Sequence, residues 1–331
     1  MNMDITKNKL SYMYGNTIEE GTFRINCSSI SDYFSNTTQW YNEKVMGEEQ
    51  PKKYGTALVI GTVLHYVAEC HIKGGLTVED NEELSNYIEL MALNDSDIDE
   101  VEVRDQVRTM WPVLESYIDR EPLALAEPFV TIPTNVAGIN MSGSIDGLRI
   151  LGNLEIDTYG GALTDSNGLK LYEIANQKML DGSDYTLKTM KGLNVEIIDW
   201  KTSSSKTIPK TLTKKYRLQL QAYALILKEA YGINVVKCTN VYITKSDMNR
   251  GVGKTGKPLK GYPSILGTVS IDMDDVAFEI MDGIGKLIAE SVKTFIKQPE
   301  LRHIIAQDNR LKGNTTTLPF YKVDVVKDLV I

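Results

Sequence analysis

The chain has 331 residues, of which 42% are hydrophobic and 24% charged. That is the balance of a globular protein with enough apolar surface for one large or two ordinary domains. A net charge of −8 excludes a uniformly basic nucleic-acid coating protein and leaves only a local basic patch as a polyanion-binding surface. Cys27, Cys70 and Cys238 stand far apart with no C-x-x-C pair, which excludes a disulfide framework, a zinc finger and a four-cysteine iron–sulfur cluster.

In chain order, the run Met1–Lys7 lacks the charged start and apolar stretch of a signal peptide. Together with the free thiols this gives a cytoplasmic expectation. Residues 27–46 read as a short helix with Tyr33, Phe34, Trp40 and Tyr41 gathered on one side. Such a set either stacks bases of a single strand or, more commonly, forms helix core. Residues 56–72 read as an apolar helix that Gly74-Gly75 stops. The stretch Thr56–Cys70 contains His65 and Glu69 and reads as too short and too polar to span a bilayer, so no membrane partner is expected. Residues 81–120 read as an acidic helix ending before Pro122.

The period then changes. Leu123–Thr134, Gly138–Ile150 and Val195–Lys201 carry β-branched residues in short alternation and read as strands. The polar stretch 152–192 reads as an insertion, a hairpin plus a short helix. Residues 214–231 form a helix, Val235–Thr244 a strand, 246–263 a Lys/Gly/Pro loop, Ile265–Ile271 a strand and 274–297 a helix. No repeat of solenoid period occurs. Strands flanked by helices imply an α/β class with a mixed central sheet. The division expected is a helical N-terminal region over 1–122, a core over 123–300 holding the insertion, and a tail over 301–331.

The strongest local signal is Val195-Glu-Ile-Ile-Asp-Trp-Lys-Thr-Ser203. Strand alternation puts Ile197, Asp199 and Lys201 on one face and Ile198 and Trp200 on the other. A carboxylate and an ammonium thus end side by side, as a surface ion pair or as the acid and cation of a catalytic site. Gly143-Ser-Ile-Asp-Gly147 sets Asp146 inside an apolar strand, although Asp-Gly also favours a plain turn. Gln219 and Tyr223 share a helix face, as do His65 and Glu69. Each pair alone reads as core or cap. Glu127 opens a strand and reads as a solvated edge residue that could reach a second metal.

As an ordered set, His65, Gly143-x-x-Asp146, Asp199-x-Lys201 and Gln219-x-x-x-Tyr223 resemble the PD-(D/E)XK nuclease superfamily. The likeness is to its RecB-like exonuclease branch, which includes the mitochondrial genome-maintenance exonuclease and the CRISPR adaptation nucleases. It spans about residues 28–245 and includes Ser28–Tyr41, similar to the branch's N-terminal helix. Where iron–sulfur members carry a cysteine the chain has Asn36 to Thr38, so no cluster is expected.

The resemblance implies a restriction-endonuclease-like fold and a metal-dependent deoxyribonuclease. Its catalytic set would be Asp146, Asp199, Lys201, Gln219 and Tyr223. Its metal, Mg²⁺ or Mn²⁺, would be held by His65, Asp146, Asp199 and the backbone carbonyl of Trp200, with Gln219 holding Lys201 or a phosphate. A histidine ligand tilts the preference towards Mn²⁺. Asp146 and Asp199 stand 53 positions apart (199 − 146), unusually far unless the insertion loops out between neighbouring strands. Glu155 or Asp157 is otherwise the fallback. Lys206, Lys210, Lys214, Lys215 and Arg217 follow Lys201 with no acidic residue between and form a phosphate-binding candidate. Lys254, Lys257 and Lys260 add to it. The partner expected is DNA, single-stranded or duplex ends, with a single-strand-binding or recombination protein beside it, in a phage or plasmid setting. The alternatives are a structure-specific or restriction-like endonuclease and a catalytically silent DNA-binding or assembly module. Gly251-Val-Gly-Lys-Thr255 imitates a P-loop, but Met248 stands where its first glycine belongs, so no nucleotide is expected.

Overall fold

The structure is a computed structural model and describes residues 23–44, 55–133, 139–151, 184–247, 254–255, 257, 261–298 and 301. Its described elements are β1 (Phe23–Asn26), α1 (Ile30–Ser35), α2 (Thr37–Lys44), α3 (Gly55–Ile72), α4 (Val78–Asn94), α5 (Glu100–Arg120), β2 (Leu125–Ala126), β3 (Phe129–Pro133), β4 (Ile139–Ser144), β5 (Gly147–Ile150), β6 (Asn194–Ser203), α6 (Lys214–Tyr231), β7 (Asn234–Thr244), β8 (Leu266–Asp272) and α7 (Asp275–Lys297). Five strands form one mixed sheet in the order β2-β5-β6-β7-β8, and three form a second in the order β1-β4-β3. This is a mixed α/β architecture of strands flanked by helices, the class expected from the sequence.

The strand β6 is the wall between two cores. Its Val195 and Ile197 enter the cluster built with α1, α2, α6 and α7. Its Ile198 and Trp200 enter the cluster built with α3, α4 and α5. The alternation read from the sequence is therefore the real division of faces. Glu196 is fully buried in β6, and its charge is met by Arg149 Nη1 and Lys237 Nζ, each at 3.0 Å. A buried carboxylate survives when it is paired in this way.

Long runs that read as single elements are divided. The acidic helix is two helices, because Asp99 turns the chain extended and caps a new start by accepting the Glu102 N–H at 3.0 Å. The aromatic helix is a 3-10 turn and two short helices that part at Asn36, with the strand β1 just before them. The N-terminal region therefore contributes a strand, β1, parallel to β4. Helix α3 runs 18 residues and is long and apolar enough to cross a membrane by length and composition, unlike the shorter stretch read from the sequence. Here it is a core helix, packed on α5 and β6.

The two strand stretches before the insertion form one bent ribbon that passes from one sheet to the other. β3 pairs antiparallel with β4, and β2 with β5. The bend falls between them, at Glu127-Pro128 on one strand and Ile145-Asp146 on the other. Across it the Glu127 N–H donates to the Asp146 carbonyl at 3.3 Å and the Ile145 N–H to the Pro128 carbonyl at 3.2 Å. Glu127 makes the turn with a φ of +46°, the sole positive φ at a non-glycine among the described residues. A residue before proline disfavours helical conformations, so the kink stores strain.

β5 and β6 are antiparallel neighbours with Ile150 opposite Val195. The insertion thus leaves and re-enters the sheet at adjacent points. Its hairpin-and-helix reading and the fallback acids Glu155 and Asp157 fall within residues 152–183, outside the described residues.

Candidate active site

Asp146 and Asp199 meet because β5 and β6 pair. Gly147 lies opposite Ile198, so Asp146 and Asp199 are the next residues beyond that register pair. Both are buried. Asp146 Oδ2 accepts the Trp200 N–H at 2.6 Å, which ties the bend of the ribbon to β6. Lys201 Nζ lies 2.6 Å from Asp199 Oδ2 and 5.0 Å from the centre of the Tyr216 ring. An ammonium over a ring face gains further electrostatic attraction.

Gln219, expected to hold Lys201 or a phosphate, lies against Asp199 and Tyr223. Its amide donates to Asp199 Oδ1 at 3.4 Å and to the Tyr223 hydroxyl at 3.3 Å. The cause is register: one turn of α6 puts the amide above the carboxylate, while Lys201 already faces the other oxygen. Tyr223 lies over the ribbon, where a β-carbon on Gly143 would come 2.7 Å from its Cε1. Trp200 turns its ring into the second core, edge-on to Tyr117 at 6.1 Å.

His65 comes from α3 to the same corner. Its Nε2 is 3.2 Å from the Trp200 carbonyl oxygen, and its Nδ1 is 3.4 Å from Asp146 Oδ1 and 3.9 Å from Glu127 Oε1. Glu127 reads from the sequence as a solvated edge residue, yet its side chain is only 7% exposed, because the bend of the ribbon carries it inward. His65, Glu127 and Asp146 offer atoms that all lie within 4.8 Å of one another.

The charges are mutually dependent. Burial would lower the His65 pKa, but Asp146 and then Glu127 outweigh it and lift it to about 9. Burial would raise Asp146, yet the imidazole, Lys201 and the Trp200 N–H hold it below its ordinary value. Burial, and then Asp146, pushes Glu127 up to about 8. Burial also lifts Asp199 to about 6 against the pull of Lys201, with Asp146 adding to the rise. Burial disfavours the Lys201 charge, but Asp199 and Asp146 raise its pKa overall.

A divalent cation fits this corner. Glu127 Oε1 is buried with no hydrogen-bond donor among the described residues, and hard carboxylate and carbonyl oxygens with one imidazole are donors for Mg²⁺ or Mn²⁺. His65, Asp146 and the Trp200 carbonyl face one another directly. Asp199 stands beside them, turned to Lys201.

The basic run follows β6 directly. Lys206, Lys210, Lys214, Lys215 and Arg217 lie on the loop after β6 and the first turn of α6. Lys206 lies over the Tyr262 ring at 4.5 Å and Lys214 over Phe34 at 5.5 Å. Of the four aromatics, Tyr33, Trp40 and Tyr41 are buried core and Phe34 alone is exposed. Lys260 lies outside the described residues.

Residues 183–299, the stretch from just before β6 to the end of α7, match the PD-(D/E)XK nuclease superfamily. No curated protein matches the sequence. Among solved structures, a candidate exonuclease from Eubacterium rectale is 12% identical, with 90% of this chain and 88% of that one covered and a TM-score of 0.46. An alkaline exonuclease from Laribacter hongkongensis is 11% identical, with 74% and 96% covered and a TM-score of 0.30.

Proposed function

We propose that this chain, whose residues 183–299 match the PD-(D/E)XK nuclease superfamily, is a divalent-metal-dependent DNA exonuclease that hydrolyses phosphodiester bonds at strand ends. The observation that carries the reading is the convergence of His65, Asp146, Asp199 and Lys201 on one corner of the sheet. Two buried aspartates, an imidazole and an ammonium from three distant segments form a costly cluster for stability alone.

Hydrolysis requires water to add to phosphorus, one P–O ester bond to break and the leaving oxygen to gain a proton. His65, Asp146, Asp199 and the Trp200 carbonyl are the residues that would hold the cation. When bound, it would supply charge to the scissile phosphate and acidify a water. Lys201 donates to the attacking water or to a phosphate oxygen as charge builds there, and Asp199 and Tyr216 fix its position. Gln219 braces Asp199, and Tyr223 braces Gln219.

The DNA path is supported by the start of α6. Its first turn carries Lys214 and Lys215 and no acid, although the helix dipole favours acids there. A backbone phosphate at that end offsets the unfavourable arrangement. In this reading the cytoplasmic protein works in recombination or DNA processing.

Digestion of end-labelled linear and circular DNA, single- and double-stranded, with Mg²⁺ or Mn²⁺ tests the reading. Metal-dependent release of nucleotides from linear substrates with circles intact is expected. Cleavage of circles would make the chain an endonuclease, and cleavage of neither would make it a silent binding module.

A further inference from the structure

Helix α7 has two apolar faces. One carries Phe278, Met281, Ile288, Val292 and Phe295 into the core that it shares with α6. The other carries Val276, Ile280 and Leu287, which are 60%, 54% and 52% exposed, with the exposed Gly283 between them. At 3.6 residues per turn these four form one narrow stripe, turned away from the core face. A helix that packs on one side alone keeps its other side polar. Contiguous apolar side chains left in water mark a surface that meets another body.

Gly283 is not required by its own fold among the described residues. Gly285 is held to glycine by Met141, whose Cε would lie 2.9 Å from a β-carbon there. A β-carbon on Gly283 would meet nothing within 4 Å, and its φ is not positive. Alanine would fit this position and would favour the helix. A glycine in such a place serves the close approach of something outside the helix.

The spacing of the stripe identifies that body. Val276 to Ile280 and Gly283 to Leu287 are both steps of four, so the stripe reads alike in either direction about its midpoint. Two copies laid antiparallel about a two-fold axis put Val276 against the partner's Leu287 and Ile280 into the gap at the partner's Gly283. Each copy then presents the same patch, the condition of an isologous interface. Glu279 and Lys286 lie on one flank of the stripe, on opposite sides of its midpoint. In the antiparallel pair Glu279 comes level with the partner's Lys286 to within about 3 Å of rise, and the axis repeats this opposite-charge pair. We propose that this face of α7 docks a second copy of the chain, helix against antiparallel helix. Its small stripe falls short of the roughly 800 Å² per partner of a standard interface, and Glu290 comes near the partner's Asp275, a like charge. The dimer is therefore weak and forms as concentration rises.

Sedimentation equilibrium of the full chain from about 1 to 100 µM tests this, across the range where small interfaces associate. A monomer–dimer equilibrium is expected for wild type. Ile280→Glu should weaken it at least about 10-fold, the scale of a central interface contact. Gly283→Gln should weaken it too, while the melting temperature of the dilute protein holds or rises, because a better helix former replaces glycine. A glycine needed only by the fold would lower the melting temperature instead. Glu279→Lys and Lys286→Glu should each weaken association, and the two together should restore it, as the antiparallel register requires. If Ile280→Glu does not fold, Gly283→Gln and the charge reversals carry the test. A monomer at every concentration, as covering of the stripe by another segment of the chain would give, would overturn the proposal. A dimer left intact by all these variants would place the contact elsewhere and overturn it as well.

Discussion

The ring of Tyr223 occupies the place where a β-carbon on Gly143 would project, 2.7 Å from its Cε1. The glycine of one motif thus makes room for the tyrosine of another 80 positions later (223 − 143), and Tyr223 in turn accepts the bond from Gln219 that braces Asp199. Gly143→Ala should displace the ring and destabilise the fold by about 1–3 kcal/mol, the usual cost of overpacking. Urea denaturation reads the loss. An unchanged midpoint would mean that the ring moves aside freely.

Asp199→Asn and Lys201→Ala should each lower cleavage by at least about 10²-fold, as loss of a group that stabilises transition-state charge does. DNA binding should stay near wild type, because the lysines of the loop after β6 and the start of α6 are untouched. Single-turnover cleavage and gel-shift titration on the same preparations separate the two effects. Near-normal cleavage in either variant would remove this site from consideration.

His65→Ala should weaken Mn²⁺ binding about 10- to 100-fold, and more than it weakens Mg²⁺ binding. The same imidazole predicts a pH signature in the metal-free protein. Its folded pKa of about 9 lies above the ordinary 6.5, so its stabilisation is full below pH 6.5 and lost as pH rises through 9. Glu127, lifted from 4.5 to about 8, acts in the same direction, because its neutral form is the one the fold prefers. Melting temperature in chelator should therefore fall between about pH 4.5 and 9, and His65→Ala should flatten the part above about pH 6.5. A flat profile in the wild type would contradict the buried imidazolium.

Neutralising Lys206, Lys210, Lys214 and Lys215 together should weaken binding without regard to sequence. Every phosphate that no longer meets a lysine should flatten the slope of log K against log salt by about 0.9 for duplex or 0.7 for single strands. Fluorescence anisotropy at several salt concentrations measures this. An unchanged slope would place the DNA elsewhere.

The part of the site legible in the sequence is its local part. Asp199 and Lys201 are two apart on a strand, and strand alternation alone sets them on a common face. Ile197 and Trp200 go to opposite cores by the same rule. His65 and Gln219 are legible only as members of an ordered set. Glu127 misleads because its burial comes from a bend shared by two strands, and the partner half of that bend lies 18 to 19 positions later (145 − 127 and 146 − 127). Ala126-Glu127-Pro128 holds the available signal: an acid before proline, facing Asp-Gly across a hairpin. The split of the acidic run into α4 and α5 is visible in Asp95-Ser-Asp-Ile-Asp99, where acidic caps gather.

The wall formed by β6 has a consequence for how the molecule comes apart. Ile197 belongs to one apolar cluster and Ile198 and Trp200 to the other, and β7 divides in the same way, with Cys238 on one side and Val241 and Ile243 on the other. Neither cluster can melt while the other keeps a folded β6, since each would leave the strand bare on one side. The described cores should therefore lose structure in a single cooperative transition. A void opened beside Trp200 by substitution in α5, such as Tyr117→Ala, whose ring stands edge-on to the indole, would reach Lys201 through one peptide unit. Defects far from the acids would then register as altered chemistry before they register as loss of the fold.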